Sequence, residues 1–322
     1  MNLAWLVRHN DAVSSYPSKA MNAAKVEKTE YAGWLNCYRI SNGEVELVVT
    51  ADVGPRVISY SFTSCKNVFV EFEEQLGRSD EKEWMARGGH RLWAAPERIP
   101  DTYALDNAPV QATVNGSRIS LLQPVEAETG LQKEMTIELA ASGSSVKVTH
   151  RIENTRSTSR RLAVWALTQM APGGIAISAF PPRGSHDEVL VPTNPLTMWA
   201  YTNFSDPRWK FTKKYLTLKN DINDKEPQKA GLFNPKTLGA YLNAGTLFVK
   251  RSEAPGKSED YPDFGCSFET FTNHSFLELE TLAPLVDAKQ GQSATHVEQW
   301  SLHRDVKLES IDDAELDRLF EQ

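Results

Sequence analysis

Cysteine is scarce in this chain of 322 residues. Cys37, Cys65 and Cys266 lie far apart and form no CxxC pair, so neither a zinc ribbon nor a disulfide framework is expected, and the thiols read as buried and reduced. Long hydrophobic runs are missing too. The run Leu3-Ala4-Trp5-Leu6-Val7 is broken by Arg8-His9-Asn10-Asp11 before it reaches signal-peptide length, and nothing approaches the roughly 20 apolar residues of a membrane span. A cytoplasmic protein without a membrane partner is expected. Dense Lys/Arg blocks and basic amphipathic helices are absent, and a formal net charge of −7 gives no long-range attraction for nucleic acid or anionic lipid. A small neutral ligand fits this balance better than a polyanion. There is no GxSxG elbow, no GxGxxG or GxxxxGK phosphate loop, and no HxxxH or HxH spacing, which argues against a serine-hydrolase elbow, a nucleotide loop and a sequence-local metal site. No cofactor and no metal are expected.

What the chain does contain is strand. From about Tyr31 onward, short alternating or β-branched runs such as Val45–Val49, Val57–Phe62, Val110–Val114, Met135–Leu139 and Val146–Ile152 are separated by Gly, Pro, Asn and Ser. Asn42-Gly43, Asn115-Gly116 and Ser142-Gly143 supply hairpin turns. No strands alternate with long amphipathic helices, which argues against a doubly wound α/β fold. With 40% hydrophobic residues, the chain can bury a sizeable core. The expectation is an all-β fold: one large antiparallel β-sandwich over 31–322, closed by a short helix at 310–322 with Ser310 as its cap. Residues 1–30 read as an extension with one short strand or helix packed on that domain. The stretch Asn203–Pro235, rich in Lys, Asp, Asn and Pro, reads as a long irregular insertion.

Two constellations invite chemistry. In Phe276-Leu277-Glu278-Leu279-Glu280-Thr281-Leu282, residues two apart on a strand point the same way, so Glu278 and Glu280 share a face roughly 7 Å apart. A wet sheet face would explain the pair blandly, but Phe276 and Leu282 share that face and cover it. An acid in a partly apolar cleft has a raised pKa and can act as acid or base. The second constellation, Gly88-Gly89-His90-Arg91-Leu92-Trp93-Ala94-Ala95-Pro96-Glu97, joins a flexible glycine pair, a proton-exchanging imidazole, hydroxyl-binding Arg91 and Glu97, and an aromatic plate, Trp93. Its structural alternative is a bulge at the glycines, an internal ion pair at Arg91 and a core Trp93. His150 and His296 lie in strand patterns that suit structural histidines; His186 and His274 read as loop residues, and His9 and His303 have no supporting neighbours.

These motifs resemble the galactose mutarotase-like superfamily, large β-sandwiches that hold sugars on a concave sheet. Gly54-Pro55-Arg56-Val57-Ile58-Ser59-Tyr60 is similar to its early strand. Arg151-Ile152-Glu153-Asn154-Thr155 is similar to the central strand ending in Asn, and Gly291-Gln292-Ser293 before Val297–Leu302 to the closing turn and strand. Leu277–Thr281 resembles the late strand that carries the catalytic glutamate of aldose 1-epimerases, with Glu280 the better match because Thr281 follows it. More narrowly, the segments 88–97, 165–174 and 278–285 resemble a bacterial domain family of unestablished function within the superfamily. The resemblance implies a sugar ligand, Glu280 as base, and Arg91, Glu278, Trp93, Trp165, Glu97 and Arg56 as substrate-binding residues. It also exposes a departure: the strand Leu162–Thr168 lacks the histidine that serves mutarotases as general acid, and His90 is the expected replacement. An epimerase-like enzyme, a sugar binder or sensor without turnover, and, more remotely, a sugar lyase or glycoside-processing enzyme remain open at this point.

Overall fold

Burial along the strands follows their period of two. In Val146–Asn154 every second residue is buried while those between turn outward, and Ser293–His303 repeats the pattern, as expected of a sheet with one face on a core. The computed structural model describes residues 24–320. They form two antiparallel sheets, one of eleven strands and one of ten. The larger runs, in spatial order, Lys25–Tyr31, Trp34–Ser41, Val45–Thr50, Arg56–Phe62, Gly89–Ala95, Arg160–Met170, Leu277–Leu282, Phe268–Thr272, Gln228–Leu232 and Leu196–Met198, with Val286–Ala288 added beside Arg160–Met170. The expected large antiparallel β-sandwich with a C-terminal helix is what the chain forms. Its core lies between the sheets, where Tyr60, Phe69, Phe248 and Trp300 pack edge to face or tilted at centroid separations of 5.7–6.3 Å.

The central strands of the larger sheet break the half-wet pattern: Gly89–Ala95 and Leu277–Leu282 are buried at every position. Their inner face meets the second sheet. Their outer face is roofed by connecting segments that bring Trp84 and Tyr103 onto Trp93. That roofed outer face positions the site.

Two sequence expectations change. Asn203–Pro235 is not irregular: it holds the strands Trp209–Phe211 and Tyr215–Lys219 of the smaller sheet and Gln228–Leu232 of the larger, each too short to stand out among Lys, Asp and Pro. The helix spans Asp313–Phe320 and buries Leu316 and Leu319, but Asp312 caps it by accepting from the Glu315 amide at 3.0 Å, while Ser310 donates to Asp312 instead. Lys25–Tyr31 is an edge strand paired with Trp34–Ser41; the rest of the expected extension, with His9, lies outside the described residues. Among those residues, no helix is long and apolar enough to cross a membrane.

Candidate active site on the outer face of the larger sheet

Strand register builds the site. Arg91 and Trp93 stand opposite Leu167 and Trp165; Glu280 and Glu278 stand opposite Leu167 and Gln169. One strand further, Glu269 faces Glu280 and Phe271 faces Glu278, and next to these come Gly231 and Lys229. Because directly paired residues share a face, Arg91, Trp93, Trp165, Glu278, Glu280, Glu269 and Lys229 all project from the outer side.

Lys229 is the hub. Its Nζ donates to Glu280 Oε2 at 3.0 Å and lies 2.8 Å from Glu269 Oε2. The same ammonium sits 4.7 Å from the Trp165 ring centroid and 4.6 Å from that of Trp199. Burial works to lower its pKa, but Glu269 and Glu280 outweigh burial and hold it well above the ordinary lysine value. Trp165 Nε1 donates to Glu280 Oε2 at 2.7 Å, which fixes that carboxylate and the indole plane together. Gly231 makes the crowding feasible: a Cβ there would stand 2.5 Å from Cys266 Sγ and 3.2 Å from both Glu269 Cγ and the Trp199 ring.

Arg91 donates to Glu278 Oε1 at 3.1 Å and lies over the rings of Trp93 and Trp84. Burial raises the Glu278 carboxyl to about 7, Arg91 pulling it down and Glu280 pushing it up. Glu269 goes well above the carboxylate range, chiefly by burial, with the Glu280 and Asp263 charges adding to it. Asp263 also rises through burial. Several polar atoms on this face are buried without a hydrogen-bond partner: Glu280 Oε1, Glu269 Oε1, Arg91 Nε and Nη1, and Gln169 Oε1. Half of the buried side-chain atoms without a hydrogen-bond partner lie on this roofed face, and the rest, among them Arg56 Nε, Arg87 Nε and Arg208 Nη1, lie elsewhere; the face keeps hydrogen-bonding capacity open to a ligand.

A cleft of about 590 Å³ opens here, lined by Glu97, Arg98, Ile99, Tyr103, Trp165, Trp199 and Asp263. Glu97 accepts from the Tyr103 hydroxyl. Of the residues singled out in the sequence, Trp165 and Glu97 line this cleft, and Glu280, Glu278, Arg91 and Trp93 are buried on the same sheet face. Two residues do not join them. His90 points to the opposite face, wholly buried between the sheets, with Nδ1 2.9 Å from Thr168 Oγ1 and Nε2 2.8 Å from His150 Nε2; burial drives its pKa well below the ordinary value. It cannot serve as the acid opposite Glu280, because neighbours in a strand alternate sides and Arg91, not His90, takes the outer one. Arg56 is a buried strut whose guanidinium donates to the carbonyls of Ala86 and Gly88 and to Asp106 Oδ2. It holds the roof rather than a ligand. The glycine pair serves close strand packing: side chains at Gly88 and Gly89, both at positive φ, would overlap the Val70 and Val57 carbonyls.

Lys229, Glu269, Trp199, Asp263 and Tyr103 escaped the sequence reading. Lys229 hid in the supposed insertion. Glu269 carried one usable signal, its place in the alternating run Phe268-Glu269-Thr270-Phe271-Thr272.

The inner face carries a second polar cluster. Lys250 Nζ pairs with Glu298 Oε1 at 2.7 Å, Trp300 Nε1 donates to Glu298 Oε2 at 2.7 Å, and Thr281 also donates to Glu298. His90, His150 and Glu298 stand close enough to suggest a metal site, but both Glu298 oxygens already accept hydrogen bonds and an ammonium occupies the spot. The donor set fits a structural network rather than a cation site.

The paired-sheet sandwich has the fold of solved structures described as galactose mutarotase-like or as aldose 1-epimerases. Crystal structures with this fold include a candidate aldose 1-epimerase from Klebsiella pneumoniae (TM-score 0.59, 9% identity, 92% of this chain and 86% of that one). A galactose mutarotase-like protein from Lactobacillus casei superposes with TM-score 0.55 at 11% identity over 83% of this chain and 100% of that one. A galactose mutarotase related enzyme from Lactobacillus acidophilus gives TM-score 0.51 at 9% identity over 84% and 98%. No family model matches the chain, and no curated protein matches it in sequence.

Proposed function

We propose that the cleft binds an aldose and interconverts its anomers by acid/base catalysis, with Glu280 as base and Glu278 as acid. The observation that carries this reading is the pair of carboxyls on the roofed face, one of them, Glu280, with Oε1 unpartnered. Two carboxyls about 7 Å apart leave room for an anomeric centre whose hydroxyl and ring oxygen each come within ~2.8 Å of one of them. Glu280 takes the proton of the anomeric hydroxyl while Glu278, whose pKa of about 7 keeps it half-protonated at neutral pH, gives its proton to the ring oxygen. The bond from C1 to the ring oxygen breaks and an open-chain aldehyde forms. Rotation about C1–C2 followed by the reverse transfers closes the other anomer and returns both carboxyls to their starting states. Trp165 and Trp199 offer ring faces for the sugar, and Arg91 Nε and Nη1 supply donors for its hydroxyls.

A second reading, sugar binding without turnover, draws on Glu280 Oε2 already accepting from both Lys229 and Trp165, which leaves one oxygen to act as base.

Saturation-transfer and exchange NMR with a panel of free aldoses separates the two. Catalysis predicts protein-dependent exchange between α and β signals, lowered at least ~10²-fold in Glu280→Gln with sugar affinity kept within about tenfold. Binding without exchange supports the second reading; a panel in which no aldose binds removes both.

A further inference from the structure

The smaller sheet forks where two of its strands part. Thr246–Glu253 and Ser293–His303 are paired from Leu247 opposite His303 as far as Arg251 opposite Gln299. Beyond that point Glu253 stays paired with Lys236 on its other side, whereas residues 293–298 pair only with Val146–Asn154. A cavity of about 700 Å³ fills the fork. It is separate from the cleft of the larger sheet and shares no lining residue with it.

Side chains of both strand faces reach this cavity, because it passes between the strands. At its mouth stand the exposed Lys236, Arg251 and Glu253. Its floor is formed by His296 and Ser252, only 5% and 7% exposed. Ser252 Oγ is buried with no hydrogen-bond partner. The hydrogen bonds of His296 run through Nε2 and its carbonyl, and none reaches Nδ1. Thr281 gives its one hydroxyl proton to Glu298, so toward His296 Nε2, 2.8 Å away, its oxygen accepts. Burial keeps the imidazole neutral, and with its proton on Nε2 the ring presents Nδ1 as a bare acceptor.

The walls are apolar, made by Pro255, Pro284, Val286 and Val297. Arg251 lies 5.8 Å from the Phe320 ring centroid, and neither it nor Lys236 forms an ion pair with a described residue, Glu253 included. A ligand that completes the cavity therefore carries a donor at its deep end, an apolar body and an anionic group at the mouth. We propose that the fork binds a small amphipathic carboxylate with a hydroxyl at its far end, of the hydroxyphenylalkanoate class. The hydroxyl donates to His296 Nδ1, with Ser252 Oγ a second polar contact on the floor; the ring lies against Pro284 and Val286; the carboxylate meets Lys236 and Arg251.

Titration of the isotope-labelled full chain with para-hydroxyphenylpropionate, followed by NMR, tests this. Expected are saturable amide shifts at Ser252, Thr295 and Val297, with the indole signals of Trp165 and Trp199 unmoved. Phenylpropionate, which lacks the hydroxyl, should bind about three- to tenfold more weakly, the worth of one neutral hydrogen bond. The methyl ester of the probe, which lacks the charge, should bind about fivefold more weakly at low salt, a gap that closes near ~0.5 M salt. Both comparisons use the wild-type protein, so folding does not enter them. Ser252→Ala should weaken the probe about threefold, and Arg251→Gln should erase its advantage over the ester. Shifts confined to the indoles, no saturable shift at the fork, or either analogue binding as tightly as the probe would overturn the proposal.

Discussion

Glu278 and His150 show how one physical effect, burial, tilts the protein's pH response in opposite directions. The Glu278 carboxyl is raised from 4.5 to about 7, so the folded state holds a proton there that the unfolded chain releases. Its stabilising share is fully present below about pH 4.5 and is lost as pH rises through about 7, a difference on the order of 3 kcal/mol. Urea unfolding midpoints for Glu278→Gln and wild type should therefore converge at acid pH and move apart between pH 5 and 8; parallel profiles would show that the group does not titrate there. In the proposed mechanism the same carboxyl sets the pH dependence: as a general acid it must be protonated, so anomer exchange at saturating sugar should decline above about pH 7. A flat profile to pH 9 would exclude Glu278 as the acid.

At the scale of the element, paired strands decide which side chains meet, and Gly231 is where that pairing is tightest. Its missing Cβ lets Glu269, Cys266 and the Trp199 ring converge over the Gln228–Leu232 strand. Gly231→Ala should cost about 1–3 kcal/mol as an overpacking change and should weaken sugar binding by displacing Trp199 from its place beside Lys229. Unchanged affinity in a destabilised variant would separate Trp199 from the ligand. Register also explains why the motif of residues 88–97 split as it did: its odd-numbered members Arg91 and Trp93 face the cleft, whereas His90 goes to the interior.

Across the whole molecule, the two sheets are joined by apolar packing and by buried polar contacts, among them a network centred on Glu298. Its histidines are held neutral: burial lowers His150 to about 4 and His296 to about 3. A histidine depressed in the fold is protonated first in the unfolded chain, so its stabilising share is present above about pH 6.5 and is lost as pH falls toward the folded value, on the order of 3 kcal/mol for His150 alone. Three such histidines act against three raised carboxyls, Glu278, Glu269 and Asp263, so the downward slope that the histidines impose on unfolding midpoints from about pH 6.5 to 4 is read by comparing variants. His150→Asn should flatten that slope even as it lowers stability at pH 7. A His150→Asn profile parallel to that of the wild type over this range would place His150 in contact with water or already charged.

The sequence by itself determined the strands and one chemical pair. Alternation in Val146–Ile152 and its fellows specifies a half-buried sheet because the period of two is local. The shared face of Glu278 and Glu280 follows from the same local geometry, as does the placing of Arg91 and Trp93 together. What only the tertiary structure decided is everything that depends on which strand lies beside which. His90 became a core residue because its face of the strand met the second sheet. Lys229, 51 residues from Glu280 in the chain, reached the acids of the outer face because Gln228–Leu232 pairs with Phe268–Thr272, which in turn pairs with Leu277–Leu282. A single strand encodes its own two faces, but not its neighbours, and the meeting of Lys229 with Glu280 and Glu269 is a property of the neighbours.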